Sequence, residues 1–203
     1  MINLIFIRHG ATQGNLEKRY IGTTDEPLSD IGIKQCHILK EKNIDVDLVF
    51  VSPMIRAVQS AEIIFPDRVY KIIDDFKEIN FGLFEGKTAD ELSSDEKYIE
   101  WVDSYCQSSI PCGESICDFK KRCCNGFERI INTIPDGHTA AFVVHGGVIM
   151  SVFEKFEKSK KGFYDYHISN GSAIVCEYDD NMICLKSFIN EKTQAFDMHL
   201  KSV

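Results

Sequence analysis

Short apolar runs and longer amphipathic segments alternate along most of the chain. Ile2 to Ile7 is nearly continuous in apolar residues, and the runs Leu48 to Val51 and Ala140 to Val144 repeat this pattern. Runs of this length and composition are typical of strands that are buried on both faces, as in a parallel sheet. A further short strand is predicted at Val69 to Ile73.

The intervening segments carry helix-start signals and apolar residues at helical spacing. The predicted starts are Ser29, Ser52 with Pro53 at the first helical position, Thr88 with Glu91 as a capping box, and Ser115. The region after Thr88 is predicted to be helical, in two pieces, up to about Tyr105. From Ser115 the helical spacing continues to Ile134, and another helix is predicted from Val148 to Phe156.

The last predicted elements form a hairpin. Ala173 to Tyr178 and Met182 to Phe188 are joined by Asp179-Asp180-Asn181, which favours an antiparallel pair. Strands that alternate with helices predict an α/β fold, a three-layer αβα sandwich with a mainly parallel central sheet and this antiparallel C-terminal hairpin. Without repeats or a Pro/Gly-rich linker, we expect a single domain over 1–203, with a helical lid segment at about 87–114.

Composition and charge narrow the classes of function. The 203 residues are 44% hydrophobic and 27% charged, as in ordinary globular proteins, and 31 acidic against 23 basic residues give a net charge of −8. An acidic surface argues against nucleic-acid and anionic-membrane partners, so a cationic site must be local. No apolar run is long enough to span a membrane and no basic leader precedes the first run, which predicts a cytoplasmic protein.

Cysteine usage is consistent with that compartment. Eight cysteines without an export signal are expected to be reduced thiols, several of them small core residues. None forms a Cys-x-x-Cys pair, so a structural zinc site is not expected.

Three predicted strands end in groups that suit an anion. The first runs into Arg8-His9-Gly10, the second leads through Ser52-Pro53 to Arg56, and the strand at Val144 leads to His145-Gly146-Gly147. Ligands of α/β sheets bind at the carboxyl ends of strands, and a guanidinium group or a helix N-terminus favours phosphate. Two histidines and two arginines converge if these strands are neighbours; otherwise Arg8 and His9 only mark where a core strand reaches solvent.

The ordered set of motifs resembles the histidine phosphatase (phosphoglycerate mutase-like) superfamily. The resemblance extends from Ile2 to about Ser172, and each motif alone is a weak signal. The matching segments are Arg8-His9-Gly10-Ala11-Thr12 with Asn15, Gly22, Asp25-Glu26-Pro27-Leu28, Gly32, Ser52-Pro53-Met54-Ile55-Arg56-Ala57, Glu78-Ile79-Asn80-Phe81-Gly82 with Glu85-Gly86, Gly113-Glu114-Ser115 and His145-Gly146-Gly147.

The resemblance implies a role for each matching side chain. His9 would be the nucleophile and Glu78 the general acid, with a pKa that the phosphate or a partly buried loop raises. Among the remaining implied site residues, Arg8, Arg56 and His145 would hold the phosphoryl oxygens. Asn15 and Thr23 would add hydrogen bonds to the phosphoryl group or to its leaving side, and Gly146 would bind the substrate phosphate. No metal and no cofactor is implied, since cationic side chains stabilise the charge.

The resemblance leaves more than one activity open. The short chain and the His145-Gly146-Gly147 motif, where mutases usually have His-Gly-Asn, favour the small phosphatase branch, which includes α-ribazole phosphatases. The expected partner is a small phosphomonoester, such as α-ribazole 5′-phosphate or a sugar phosphate. The alternatives are a cofactor-dependent phosphoglycerate mutase and a non-catalytic phospho-ligand binding module. Ala11, Gly14 and Phe84 depart from common family residues, and a homodimer remains open.

Overall fold

The computed structural model describes residues 1–179, with side chains, and the backbone of residues 181–188. The elements in these ranges, in chain order, are β1 (Ile2–Arg8), α1 (Gln13–Leu16), α2 (Asp30–Lys40), β2 (Leu48–Val51), α3 (Ile55–Ile64), β3 (Tyr70–Ile72), α4 (Ala89–Leu92), α5 (Glu96–Asp103), α6 (Ile116–Ile131), β4 (Thr139–Val144), α7 (Gly146–Phe156), β5 (Ala173–Asp179) and β6 (Asn181–Phe188). Short 3-10 turns lie at Asp74–Phe76, Gly82–Phe84 and Phe163–Tyr166.

The strands form one mixed sheet in the order β3-β2-β4-β1-β5-β6. Strands β3, β2, β4 and β1 are parallel to one another, and β5 is antiparallel to both β1 and β6. The predicted α/β class, with a mainly parallel sheet and an antiparallel C-terminal hairpin, is therefore confirmed. Asp180, in the predicted hairpin turn, lies outside the described residues.

Helices cover both faces of the sheet because side chains alternate across each strand. On β1, Leu4 and Phe6 belong to the core cluster that includes residues of α6 and α7, whereas Ile5 and Ile7 belong to the cluster with α2 and α3. The Phe6 and Phe142 rings stack at 4.9 Å between centroids, in the middle of the first cluster. This packing gives the three predicted layers.

The parallel register brings three strand ends to one row. Arg8 of β1 lies opposite Val144 of β4, and Val51 of β2 lies opposite Val143. Hydrogen bonds extend this row by one residue on each outer strand, from His9 N to Val144 O and from Ser52 N to Val143 O. The residues that follow β1, β2 and β4 consequently meet at a single edge of the sheet.

Most predicted helix starts are confirmed, but the one at Ser52 is wrong. Helix α3 begins at Ile55 with Met54 as its N-cap, so Pro53 is not its first residue. The physical reason is that the Ser52 hydroxyl is bonded to the ring of His145. The confirmed starts are Ser29 for α2, Thr88 with Glu91 as a capping box for α4, and Ser115 for α6.

The segment 87–114 contains the two predicted helical pieces, α4 and α5. Tyr98 and Trp101 of α5 are buried, and their rings pack with Tyr20 of the loop that follows α1. The role of segment 87–114 as a lid and the single-domain organisation of the chain stay predictions. Among the residues that the structure describes, no helix combines the length and apolar character needed to span a bilayer.

Candidate active site

His9 lies immediately beyond β1 and is almost fully buried. Its Nδ1 is 2.8 Å from the carbonyl oxygen of Gly10. A carbonyl only accepts hydrogen bonds, so Nδ1 carries the proton of the neutral ring and Nε2 presents a lone pair. Burial, with Arg56 and Arg8 nearby, holds the pKa of His9 well below its usual value. The ring is thus neutral near pH 7 and nucleophilic at Nε2.

Arg56, in the first turn of α3, is completely buried. It donates from Nη1 to Thr24 O and from Nη2 to Gly22 O, each at 2.8 Å, and thereby anchors the loop that crosses the strand ends. Its Nε has no hydrogen-bond partner within the described chain. Burial lowers its pKa, and Glu78 leads the carboxylates that oppose this shift. The guanidinium group remains a fixed cation whose Nε–H is available to a ligand.

Arg8, the last residue of β1, lies at the N-terminus of α7. Its Nη1 donates to Ile168 O at 2.7 Å and lies 3.0 Å from His167 Nε2. A Cβ at Gly146 would lie 3.4 Å from the guanidinium carbon of Arg8, so the cation is in contact with the helix start. A helix N-terminus and a guanidinium group both favour an anion in the space they border.

His145 is the N-cap residue of α7, and its side chain is fully buried. Its ring packs edge-on against His9, at 4.9 Å between centroids. Nε2 lies 2.7 Å from Ser52 Oγ, whereas Nδ1 has no partner within the described chain. Burial, followed by the charge of Arg56, holds the pKa of His145 well below its usual value.

Glu78 reaches the same helix start from the loop that follows Asp74–Phe76. Its two carboxyl oxygens accept from Ile79 N and Gly147 N, both at 3.0 Å. Burial raises the pKa of this carboxyl group against the opposing effect of those two bonds. The shift has the direction that the sequence predicts for a general acid.

We expect Gly147→Ala to displace this carboxyl group. The added Cβ would lie 2.3 Å from a Glu78 oxygen and 2.9 Å from the Phe119 ring, which no real contact permits. Because a misplacement of about 1 Å costs on the order of 10²-fold in rate, kcat on an alkyl phosphate, whose departing oxygen needs a proton, should fall by about that factor. Gly162→Ala is the control, since its Cβ meets only Asp165 at 3.4 Å. An unchanged kcat in Gly147→Ala would contradict this placement of Glu78.

The three weaker site residues are placed differently. Asn15 lies close to His9, because its Oδ1 accepts from Asn170 Nδ2, which also donates to His9 O. Thr23 is exposed and held by Glu85, whose Oε1 accepts from both its backbone N and its hydroxyl. Gly146 is the first residue of α7, beside Arg8. The structure therefore brings Asn15 and Gly146 to the sheet edge beside His9 and Arg8, whereas the Thr23 hydroxyl is bonded to Glu85.

Sequence reasoning missed three residues that contact the predicted site residues. Ser52 binds His145, His167 lies against Arg8, and Asn170 links Asn15 to the backbone of His9. The Asn170-Gly171 pair is a turn signal, and Gly171 has φ +66° while its N–H donates to Arg8 O and His9 O. That signal could have marked the segment; nothing local distinguishes His167.

A family model confirms the class of protein that the fold and the site indicate. Residues 4–191 match the histidine phosphatase superfamily (branch 1), and the chain belongs to this family. The Probable phosphoglycerate mutase GpmB of Yersinia pestis is 29% identical over 154 residues, which are 72% of this chain and 70% of that protein.

Two solved structures agree with this assignment. An α-ribazole phosphatase from Shigella flexneri superposes with a TM-score of 0.81 at 25% identity, covering 90% of this chain and 94% of the other. A phosphoglycerate mutase from Thermus thermophilus gives a TM-score of 0.71 at 26% identity, covering 92% and 98%. The superfamily thus joins phosphatases and mutases on the fold described above.

Proposed function

We propose that this protein hydrolyses phosphomonoesters of small metabolites through a phosphohistidine intermediate on His9. The observation that carries the proposal is the neutral, buried His9 ring, with its Nε2 lone pair available, beside His145, Arg8 and Arg56 at one sheet edge. Glu78 at the start of α7 completes the set.

In the first step, Arg8, Arg56 and His145 hold the phosphoryl oxygens. His9 Nε2 forms a bond to phosphorus while the bond from phosphorus to the ester oxygen breaks. Glu78 gives its proton to that departing oxygen, which leaves as an alcohol. Since little covalent chemistry remains, catalysis depends on positioning and on the fixed positive charge around the oxygens.

In the second step, water attacks the phosphohistidine. Glu78, now ionised, takes a proton from the water as the new oxygen–phosphorus bond forms. The bond from phosphorus to His9 Nε2 breaks, which restores the neutral imidazole and releases inorganic phosphate. The single carboxyl group serves both steps, as acid and then as base.

The charge of segment 87–114 supports a phosphatase with an uncharged leaving group. It contains two lysines, no arginine and seven acidic residues, namely Asp90, Glu91, Asp95, Glu96, Glu100, Asp103 and Glu114. A phosphoglycerate mutase must bind the carboxylate of its substrate, and we propose that this acidic segment, acting as the lid, disfavours that second negative charge. An alcohol such as α-ribazole or a sugar meets no such repulsion, so their phosphates are the proposed substrates. The 29% identical mutase relative keeps phosphoglycerate as the second candidate.

The test is hydrolysis of p-nitrophenyl phosphate in excess EDTA, followed by a panel of metabolite esters. We expect activity to persist in the chelator and to be higher on α-ribazole 5′-phosphate or sugar phosphates than on 3-phosphoglycerate. Rapid interconversion of phosphoglycerates with little free phosphate would instead establish a mutase. Phosphate binding in calorimetry without any turnover would establish a binding module.

A further inference from the structure

A buried hydroxyl group contacts the histidine whose ring packs against His9. Ser52 follows β2 and is fully buried. Its Oγ lies 2.7 Å from His145 Nε2 and 3.4 Å from the backbone N of Met54. Ser52 does not cap α3. Its side chain instead makes these two contacts.

The direction of the bond between Ser52 and His145 follows from counting hydrogens. A serine hydroxyl has one hydrogen to donate, and Met54 N–H can only donate to it. Within the described chain, His145 Nε2 is the one acceptor that the hydroxyl reaches. If Ser52 donates to Nε2, that nitrogen carries no proton, and the proton of a neutral ring must lie on Nδ1.

We propose that Ser52 is a positioning residue that holds His145 as the neutral tautomer protonated at Nδ1. This rests on the proposed function, in which His145 binds a phosphoryl oxygen. Nδ1 is buried and has no partner within residues 1–179, so it is the nitrogen available to the substrate. The opposite tautomer would direct a lone pair at an anionic oxygen and leave the Ser52 hydrogen without an acceptor.

The surroundings of His145 keep its ring neutral, so the tautomer matters. Burial and nearby charges disfavour a second proton on the ring and lower its pKa. These charges are Arg56 of α3, His9 just after β1, Arg8 at the end of β1 and Arg122 of α6. Glu78, bound to Gly147 N, is the carboxyl group at the same helix start. An imidazolium ion would donate from both nitrogens, so it would not need Ser52 to place a proton on Nδ1. A neutral ring has one N–H, and it needs Ser52 to keep that proton on Nδ1.

NMR reads this tautomer directly. In protein labelled with ¹⁵N-histidine, long-range ¹H–¹⁵N correlations separate the two neutral forms of each ring. We expect His145 to be protonated at Nδ1 in the wild type and to shift toward Nε2 protonation in Ser52→Ala. A wild-type ring protonated at Nε2, or a tautomer that Ser52→Ala leaves unchanged, would overturn the proposal. This readout needs no turnover, so it stands even if phosphatase activity is not found.

Kinetics give a second, independent readout. Orienting partners of metal-ligating histidines are worth about 10–100-fold, and we expect Ser52→Ala to lose a similar factor in kcat/KM on p-nitrophenyl phosphate, with weaker inhibition by inorganic phosphate. The two losses should go together, because a misoriented His145 weakens its contact with a phosphoryl oxygen in the substrate and in the inhibitor alike. A loss in kcat/KM with unchanged inhibition by inorganic phosphate would contradict the proposal.

Two variants separate orientation from packing. Ser52→Thr keeps the hydroxyl and should recover most of the activity and the wild-type tautomer, which tests the proposal even if Ser52→Ala does not fold. Ser151→Ala removes another buried hydroxyl, which donates to Gly147 O one turn along α7, and should leave kcat/KM and its pH profile unchanged. Equal losses in Ser52→Ala and Ser151→Ala would contradict a specific role for Ser52.

Discussion

His9→Ala is expected to abolish phosphate release and formation of the phosphoenzyme together. Removing a nucleophile that acts with its partners as one unit costs on the order of 10⁴-fold or more in kcat. His145, whose ring packs against His9, is not expected to substitute, because its Nε2 is bonded to Ser52. Steady-state hydrolysis of p-nitrophenyl phosphate measures the loss, and ³²P-labelled substrate quenched in alkali measures the phosphohistidine.

The control for His9→Ala is His37→Ala, which removes an exposed histidine from α2. We expect it to retain full activity and the same burst of labelled enzyme. A His9→Ala protein that folds, binds phosphate and still hydrolyses the ester at more than a tenth of the wild-type rate would rule out the nucleophile. Label retained by such a variant would point to a different residue.

The positions of three site residues at strand ends could be predicted from the sequence, because each residue comes directly after an apolar run. Arg8 and His9 follow the run Ile2 to Ile7, and His145 follows the run Ala140 to Val144. Their positions along the chain therefore already placed them at strand ends. Their proximity depends on the order β2-β4-β1, in which neighbouring strands are distant in sequence. No local pattern carries that order; only the family resemblance implied it.

Ser52 shows where local rules fail. Ser followed by Pro satisfies the preferences of a helix start, and in isolation the hydroxyl would cap the helix. In the folded chain, a buried imidazole 93 residues away competes for the same oxygen, and Met54 is left as an N-cap without a side-chain bond. Thr23 differs in the same way, because Glu85 engages its hydroxyl through a contact 62 residues apart.

The acidic composition is compatible with a cationic site because Arg56 is buried, whereas most of the described acidic side chains are exposed. Arg56 is buried beside carboxylates that stabilise it, including Asp25, Glu26 and Glu85. The Glu85 carboxylate accepts hydrogen bonds from the loop at residues 22–24 and from Phe81 N, and it thereby stabilises that loop. A local cationic site is therefore compatible with a net charge of −8.

Glu78→Gln is the second large effect, and it should depend on the leaving group. A general acid contributes on the order of 10²–10⁴-fold when the departing oxygen needs a proton. We expect a loss of that size on alkyl phosphates and a smaller one on p-nitrophenyl phosphate, whose phenolate leaves without help. Parallel kcat measurements on the two esters test this, with the exposed Glu41→Gln as control.

The pH profile gives the same assignment from another direction. As the pH rises through the pKa of Glu78, its proton is lost and kcat on alkyl esters falls; burial raises this pKa, so the decline lies above the usual carboxyl range. As the pH falls, His9 gains a proton and stops attacking, and its lowered pKa moves that decline below the usual histidine range. Glu78→Gln should remove only the alkaline decline. If that decline persists in Glu78→Gln, another group is the acid.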